Sequence, residues 1–431
     1  MKKSRVHLLI CLAVAALLLA GSVASAQEKV VLRFSWWGGD SRHRATVRAI
    51  ERYMELNPHV EIRPEYSGWD GYHDKLTTQY AANSAPDISQ LSISSVMEYA
   101  SRNLILEVTP LIDQRFSSID ESLWSGFVDA DGKVWAIPVG VNAVNIHYNK
   151  TMFEDWGIAP PHKGWTWDDV YAIAQKATRD EDGDGRPEIF GIDTLFAPPS
   201  DAVPVISYQW DNPFFRNDYK EPNLDAGSME TYLNLAMKFQ KGRVAPSPDE
   251  IIVYTGSQTA FNQRQVAMSL QMLSNIELMQ SLMEDELGAV PWPIAVETGK
   301  TGTYFKPSQA IIINKRSKHV DEAIKFVEWF LTSPEAALIT TFERGVPSCS
   351  VQRDTLLNSD ITDIQRKIVQ WTNDVAEYVD VIPEMMPPGF LEIQMTVLEL
   401  MQEAQYEVAS IPDVVRKMQN RAAEILRRYN R

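Results

Sequence analysis

Cysteine is scarce in this chain of 431 residues, which contains only Cys11 and Cys349. Cys11 lies in an N-terminal segment that we expect to be removed, so the mature protein would keep one thiol. An exported protein with a single cysteine cannot form an internal disulfide. Its stability must come from a packed core, and roughly 400 residues suggest two or more domains.

The short motifs of common catalytic sites are also missing. The chain has no H-E-x-x-H and no paired histidine spacing, which argues against a zinc site. It has no G-x-S-x-G, P-loop or G-x-G-x-x-G sequence. Aspartate and glutamate are so numerous that no pair stands out for acid–base catalysis. The sequence therefore predicts a protein that is not an enzyme and needs no redox cofactor.

Long apolar runs are confined to the N-terminus. A basic stretch (residues 2–5) precedes an apolar one (residues 8–20), and an Ala-Ser-Ala sequence ends at Ala26. This order predicts a signal peptide, residues 1–26, cleaved after Ala26. No later run approaches the length of a membrane span. Because Cys11 sits inside the apolar stretch and not at its end, we do not expect a lipid anchor.

Positive charge is in deficit, since 41 Lys and Arg residues oppose 57 Asp and Glu residues and give a formal charge of −16. Loss of the basic signal peptide would lower this charge by three more units. An acidic chain is unsuited to nucleic acid or to an anionic membrane surface. Tryptophan, by contrast, is plentiful at 12 residues. Its rings suit ligands that have apolar faces and polar edges.

The first part of the mature sequence alternates between strand and helix patterns. These patterns predict strands over 30–37, 60–66 and 88–93, with helices over 41–56 and 72–82. Such an order predicts a parallel, helix-covered sheet. Ligands meet such sheets at the carboxyl ends of the strands, which here carry residues 36–40, 68–70 and 92–95.

The remaining sequence predicts a second unit. An extended stretch (134–148) without catalytic residues reads as a strand that leaves one lobe and enters the next, and Thr166 begins a helix over 167–178. Residues 197–226, rich in Pro, Asp and Asn, predict a long loop region. Further helices are predicted over 228–241, 256–263 and 321–331, with strands over 266–272 and 310–313 and a mostly helical C-terminus.

Several blocks together resemble the extracellular solute-binding proteins of ATP-driven importers, family 1, in the oligosaccharide-binding branch that contains the maltose-binding protein. The blocks, in order, are VLRFSWWGGD, ERYMELNPHVEI, APDISQLS, DGKVWAIPVGVNAVNIHYNKTMFEDWGI, TWDDV, FNQRQVAMSL, SQAIIINKRSKHVDEAIKFVEWFLTSPEAA and GVPS. Each block alone is weak evidence for the family, but the order and spacing of the blocks are specific. Together the blocks span nearly the whole mature chain.

The resemblance implies an α/β, two-lobed periplasmic-binding-protein fold (type II), with the lobes joined by crossing strands and a ligand cleft between them. The crossings would fall near 139–143, 303–309 and 345–350. The N-terminal lobe would comprise 27–140 plus 305–346, and the C-terminal lobe 141–304 plus 347–431.

The resemblance also implies a function. The protein would be the substrate-binding component of a sugar importer in the periplasm, capturing a carbohydrate, in particular an oligosaccharide, by hinge closure. Its partners would be the small-molecule carbohydrate and the inner-membrane ABC permease subunits, and the protein itself would be a monomer.

Aromatic and polar residues at the expected cleft are the candidate ligand-binding residues. They are Trp36, Trp37, Gly39, Asp40, Arg44, Trp69, Ser92, Asn142, Trp210, Asp211, Trp292 and Tyr304. Flat rings would stack on the sugar, while Asp40, Asn142 and Asp211 would hydrogen-bond to its hydroxyl groups. For each aromatic residue, packing in the core or anchoring of a loop remains the alternative.

Three positions depart from the family pattern. Arg264 replaces a glycine, Ser274 replaces an aromatic residue, and Asn142 stands where the maltose-binding branch has an acidic ligand contact. A neutral amide at this place weakens the case for maltose as the ligand.

A separate group of acidic residues, Asp180, Asp182 and Asp184 followed by Gly185, has the spacing of the first half of a calcium loop. The twelfth position is Gly191 and not glutamate, so the full loop is absent. The segment can therefore be interpreted either as a structural calcium site or as an ordinary Asp–Gly turn.

Two other functions remain open. The same fold could bind an acidic sugar or a phosphodiester, for which Arg42, Arg44 or Arg264 could supply positive charge. Alternatively, the protein could be a secreted glycoside hydrolase, which would need an opposed pair of carboxylates.

Overall fold

A computed structural model of the chain describes residues 29–129, 131–199, 202–216, 221–224, 226–251, 259–381, 387 and 389–429. The predicted signal peptide lies outside the described residues. Within the described part, no helix combines the length and the apolar character that crossing a membrane requires.

The strands of the described residues are β1 (Val30–Trp37), β2 (Val60–Ser67), β3 (Ile88–Leu91), β4 (Ile137–Pro138), β5 (Gly140–Asn142), β6 (Val144–Asn149), β7 (Phe215–Arg216), β8 (Glu221–Pro222), β9 (Met268–Met272), β10 (Leu287–Pro291), β11 (Lys306–Pro307), β12 (Ala310–Ile313) and β13 (Val346–Pro347).

The α-helices are α1 (Asp40–Leu56), α2 (Tyr72–Ala81), α3 (Ile93–Ser101), α4 (Ile112–Arg115), α5 (Lys150–Asp155), α6 (Trp167–Ala177), α7 (Ala202–Gln209), α8 (Thr231–Lys241), α9 (Pro248–Ile251), α10 (Ile276–Ser281), α11 (Val320–Thr332), α12 (Pro334–Thr340), α13 (Ser350–Leu357), α14 (Asp363–Ala376), α15 (Phe390–Gln405) and α16 (Ile411–Tyr429). Short 3₁₀ segments cover Thr109–Leu111, Glu121–Phe127 and Leu273–Asn275, and a π-helical turn covers Ala226–Glu230.

The first sheet has the order β2-β1-β3-β12-β4. As predicted, β1 runs parallel to β2 and β3, whereas β12 is antiparallel to its two neighbours. Strand alternation sends Phe34 toward α11, where its ring meets Phe330 at 5.9 Å. Trp37 points to the other face, where it packs on Tyr72 of α2. Helices therefore cover both faces, and the carboxyl ends of the parallel strands stay at one edge.

The second sheet is antiparallel, in the order β10-β6-β9. One face of β6, with Val144 and Ile146, joins a core that also contains residues of α6, α7, α8, α15 and α16. The opposite face carries His147 and lies against α10, since His147 Nδ1 is 3.3 Å from Met279 Sδ. Complete burial lowers the pKa of His147 to about 3, which keeps this ring neutral.

A third, small sheet joins the two units. Its strands β11, β5 and β13 come from the three segments expected to cross between the lobes, and β5 pairs antiparallel with both neighbours. Close packing at its centre requires glycine, because a Cβ atom at Gly140 would overlap the carbonyl oxygen of Arg344 and Oγ of Ser308.

Two predicted segments differ in the structure. Within 197–226, the segment expected to be a loop, α7 is a helix whose residues are all buried. Apolar residues in this segment outweigh its loop-like flanks, and Pro204 is tolerated because it lies in the first helical turn. In the helix predicted over 256–263, residues 259–263 are not helical and mostly form turns. The rest of that segment lies outside the described residues.

Candidate functional site

At the carboxyl edge of the first sheet, the two adjacent tryptophans of β1 lie on opposite faces of the sheet. Trp36 is 0% exposed, and its Nε1 donates to His43 Nδ1 at 3.2 Å. Its ring also packs against Tyr66 of β2. Contrary to its assignment as a ligand contact, Trp36 is therefore part of the core, because its side of β1 is covered by α1.

Trp37, on the other side of β1, supports an exposed aromatic surface. Trp69 is 54% exposed, and its ring meets Trp37 edge-to-face at 5.1 Å. The sequence did not single out His73, whose ring also contacts Trp69 at 4.8 Å and whose pKa is lowered by burial. Together Trp37, Trp69 and His73 form an aromatic platform at the predicted ligand edge.

The polar candidates of this edge lie apart from the platform. Gly39 is the N-cap residue of α1, and a Cβ atom there would meet nothing within 4 Å. Asp40 and Arg44 share an open cavity of about 400 Å³ with Tyr66, on the α1 side of the sheet. Ser92 is the N-cap residue of α3, and its Oγ lies 2.9 Å from Ser95 Oγ.

Arg344, which precedes β13, is a residue at this edge that the sequence did not single out. It is 6% exposed, and its Nε donates to Gln90 Oε1 at 2.9 Å. Burial lowers its pKa to about 9. Neither Nη1 nor Nη2 has a hydrogen-bond partner within the described part of the chain. An arginine before a Gly-Val-Pro sequence gives no sequence signal of such a position.

On the second-lobe side, Asn142 lies at the end of β5. Its Nδ2 donates to Ser274 Oγ at 2.8 Å, and its Oδ1 accepts from the Ser274 backbone N–H at 3.1 Å. Two of the departures from the family pattern are thus bonded to each other. Three residues further on, Asn145 is completely buried, and neither atom of its amide has a partner among the described residues. Its place in the same β-run could have suggested it.

The other candidates of this lobe are mostly packed. Trp292 is 1% exposed and meets Trp167 edge-to-face at 5.5 Å, while Tyr304 is buried with its ring 5.9 Å from Tyr208. Burial in this core argues against direct ligand contact by Trp292 and Tyr304, because core packing already covers both rings. Trp210 is half-buried against the same core.

Two charged candidates of this lobe form ion pairs. Asp211 is exposed and pairs with Lys300. Arg264, considered for an anionic ligand, pairs with Asp285 at 2.6 Å. Asp285 also accepts from Asn149, at the end of β6 remote from the crossing sheet. The structure therefore separates Arg264 from the candidate site.

The acidic loop has a different composition from the predicted one. Oxygen atoms of Asp180, Asp182 and Glu188 lie within 4.8 Å of one another and are exposed. Asp184 is outside this group, and its Oδ1 caps the Arg186 backbone N–H at 2.7 Å. Oxygen ligands of this kind suit calcium, and the residue that lies with Asp180 and Asp182 is Glu188 and not Asp184.

Comparison with known proteins gives the chain a family. A sequence profile described as bacterial extracellular solute-binding protein matches residues 39–337. A curated relative from Brucella abortus, named only as a binding protein, is 23% identical over 296 residues, which is 68% of this chain and 69% of the relative.

Solved structures show the fold. A periplasmic oligogalacturonide binding protein from Yersinia enterocolitica superposes with a TM-score of 0.78 at 22% identity, covering 93% of this chain and 100% of that one. A designed cysteine esterase gives 0.80 at 22% identity, covering 94% and 100%. This second likeness is one of fold alone, and Cys349 here is buried.

These matches confirm the predicted fold class, an α/β periplasmic-binding-protein fold of type II. Sugar-binding proteins are among the structural neighbours, including one from Xanthomonas citri. Because the profile covers well over half of its length, the chain belongs to the bacterial extracellular solute-binding proteins.

Proposed function

We propose that this protein captures a carbohydrate, in particular an oligosaccharide, between its two lobes and delivers it to the permease of an ATP-driven importer. The observation that carries this proposal is the aromatic platform at the carboxyl edge of the first sheet. Trp69 is more than half exposed there, although it rests on two buried or half-buried rings. An exposed but supported ring is suited to stacking on a sugar face.

Two of the three hydrophobic cores formed by the described residues support a division into lobes near the first two crossings. The first core uses residues up to Ala143 and resumes at Phe305. It also takes in Cys349 and Val375, which the predicted boundaries gave to the C-terminal lobe. The second begins at Val144 and includes Tyr304. The change of core thus falls within a few residues of the β5 and β11 crossings, which is where a hinge would have to lie.

Hinge closure would couple binding to transport. A ligand that contacts both lobes stabilises the closed state by its differential affinity for that state. The permease would then recognise the closed protein, which we expect to be a monomer in the periplasm after cleavage at Ala26. Binding and release require no covalent chemistry.

Relatives and structural neighbours that are named as saccharide-binding proteins support this proposal. The diacetylchitobiose binding protein of Streptomyces coelicolor is 26% identical over 129 residues, although this covers 30% of each chain. Together with the oligogalacturonide binding protein, it makes a saccharide a reasonable first ligand class to test.

A thermal-shift screen of the mature protein against mono-, oligo- and acidic saccharides tests the proposal. A ligand that binds the native state raises the Tm. We expect Trp69→Ala to weaken binding of the best saccharide about 30-fold, equivalent to about 2 kcal/mol. Tyr406→Ala, which removes another exposed ring, should leave binding unchanged.

Two results would contradict the proposal. If no saccharide shifted the Tm while peptides or metal ions did, the carbohydrate assignment would be wrong. If the bound saccharide were hydrolysed over time, the protein would be a glycoside hydrolase and not a transport component.

A further inference from the structure

We propose that the ligand carries an anionic oxygen group, a carboxylate or a phosphate, and that this group binds beside Arg42 and Arg344 at the carboxyl end of β1. This inference rests on the proposed function and narrows it to acidic saccharides and related phosphodiesters. It arises from the way in which the two guanidinium groups are partnered.

Arg42 lies directly over the turn that follows β1. A Cβ atom at Gly38 would lie 2.5 Å from Arg42 Cδ. Its Nε donates to the Glu343 carbonyl at 2.8 Å, and its Nη1 donates to the Trp37 carbonyl at 3.2 Å. Both acceptors are neutral, so these bonds fix the position of the guanidinium without neutralising its charge. The side chain remains partly exposed.

Arg344 lies deeper on the same side of the sheet. Its guanidinium carbon is 5.3 Å from the centre of the Phe330 ring, and its Nε donates the hydrogen bond to Gln90 described above. Gln90 in turn points its Nε2 to the Trp37 carbonyl at 3.5 Å, which links both arginines to the end of β1. Burying charged donors without acceptors costs free energy. The unsatisfied Nη1 and Nη2 therefore fit a partner that is not part of the chain.

The local charge balance is positive in an acidic protein. Burial lowers the pKa of both guanidinium groups, the charge of Arg42 lowers the pKa of Arg344 further, and Glu343 is the acid that offsets these effects. The Glu343 carboxylate also accepts from Ser41 Oγ at 3.0 Å. Among the buried and partly buried groups near the ligand edge, two cations thus share Glu343, while Asp40 is exposed. The whole chain, by contrast, carries a formal charge of −16.

The start of α1 adds to the same field. Gly39, its N-cap residue, provides no side-chain cap for the first backbone N–H groups of the helix, which are close to Arg42 in sequence. Space for a ligand exists above Gly39, as noted. Asp40 opposes an anion here, but it is exposed and its charge is screened by solvent.

These positions suggest different roles for the two arginines in binding an anion. Arg42, which is reachable from solvent, would contact the anion, and its planar guanidinium matches carboxylate and phosphate oxygens. Arg344 would act from behind, through its charge and its unpaired donors. An uncharged ligand of the same shape would leave this positive charge without compensation.

Calorimetric titration of the mature protein tests the inference. The probes are digalacturonate, its methyl ester and a glycerol phosphodiester. We expect the acid to bind at least about 10-fold more tightly than the ester, and Arg42→Gln to reduce this ratio to near one. Arg48→Gln is the matched control, because Arg48 is an exposed arginine of the same helix. Added salt should weaken the preference for the acid.

Arg344 needs a variant that separates binding from folding. Arg344→Lys keeps the charge but loses the guanidinium fork, so it should retain part of the preference, while Arg344→Gln should abolish it in whatever fraction remains folded by circular dichroism. Binding of the phosphodiester alone through Arg42 would support the inference, with phosphate as the group.

Contrary results are distinct from those that test the proposed function. Binding of the ester as tightly as the acid, or equal losses in Arg42→Gln and Arg48→Gln, would overturn the inference and leave a neutral-sugar binding protein. A protein that binds no saccharide of either kind would overturn the proposed function and this inference with it.

Discussion

The ligand edges of the two lobes differ in how far their polar groups are already satisfied. The first-lobe edge presents Trp69, which is exposed, and Arg344, whose Nη1 and Nη2 have no hydrogen-bond partner among the described residues. The second-lobe edge presents Asn142 and Ser274, which are bonded to each other, whereas the amide of Asn145, without a partner among the described residues, is completely buried. A ligand can use the first edge as it stands, but at the second it must compete with an existing contact. We therefore expect the first lobe to bind ligand first and the second to add specificity on closure.

The crossing sheet connects these unlike edges, and disturbing it should have the largest effect. Gly140→Ala would force a methyl group against the Arg344 carbonyl and Ser308 Oγ. Because both neighbours are held by hydrogen bonds, we expect a loss of about 2 kcal/mol and a fall in Tm of several degrees. Differential scanning calorimetry of the mature protein measures the fall in Tm.

A matched control exists in the first lobe. A Cβ atom at Gly68 would meet nothing within 4 Å, so Gly68→Ala should leave the Tm unchanged. Equal melting of Gly140→Ala and the unmodified protein would show that the crossing strands tolerate separation. In that case the crossing sheet would not hold the ligand edges of the two lobes in fixed positions, and the comparison between the edges would lose its basis.

The contact between Asn142 and Ser274 should have a moderate effect. In a double-mutant cycle of Asn142→Ala and Ser274→Ala, we expect a coupling energy of about 1 kcal/mol in unfolding by urea. Asn234→Ala is the control, since this exposed amide bonds only within α8 and its preceding turn. Ligand affinity is the second readout.

The sign of the affinity change decides between two roles. If Ser274→Ala strengthens ligand binding while weakening the fold, the contact competes with ligand, as the comparison of edges requires. If it weakens both, Ser274 contacts the ligand directly, and the second edge is as available as the first.

The acidic loop of the second lobe should have the smallest effect. We propose that it binds calcium, and with calcium near its Kd the stabilisation would be about 0.4 kcal/mol, a rise in Tm of about 1 °C. Glu188→Gln should remove this rise. Asp184→Asn should preserve it, because Asp184 lies outside the group of converging oxygens. If instead Asp184→Asn removed the rise in Tm and Glu188→Gln preserved it, the calcium ligands would be Asp180, Asp182 and Asp184, as the sequence predicted.

Local pattern predicted much of the first lobe. The bounds of β1 and β12 match the predicted strands, and those of α1 and α2 differ by one residue at one end. These elements carry strong alternation, helix stops and glycine turns, which act within a few residues. Helix α7 was missed because the prolines, aspartates and asparagines on either side of it resemble a loop. Its burial depends in part on α15, which lies far along the chain.

The site was less predictable for the same reason. Sequence alternation required Trp36 and Trp37 to face opposite ways but could not say which face α1 would cover. Trp292, between two prolines, has the local pattern of a loop anchor, yet neighbours more than 80 residues away bury it. Arg344 reaches Gln90 across 254 residues, a contact that no local pattern encodes.

The pairing of β11, β5 and β13 has a mechanical consequence. Three independent linkers would let one lobe swing, slide and twist, but hydrogen-bonded neighbours must turn as a unit. With β5 in the centre and both partners only two residues long, we expect this sheet to twist as one unit when the lobes move. If the lobes close as proposed, such a joint should favour one path between the open and closed forms. A pair of labels placed across it should then report the same distance change for every ligand that closes the protein.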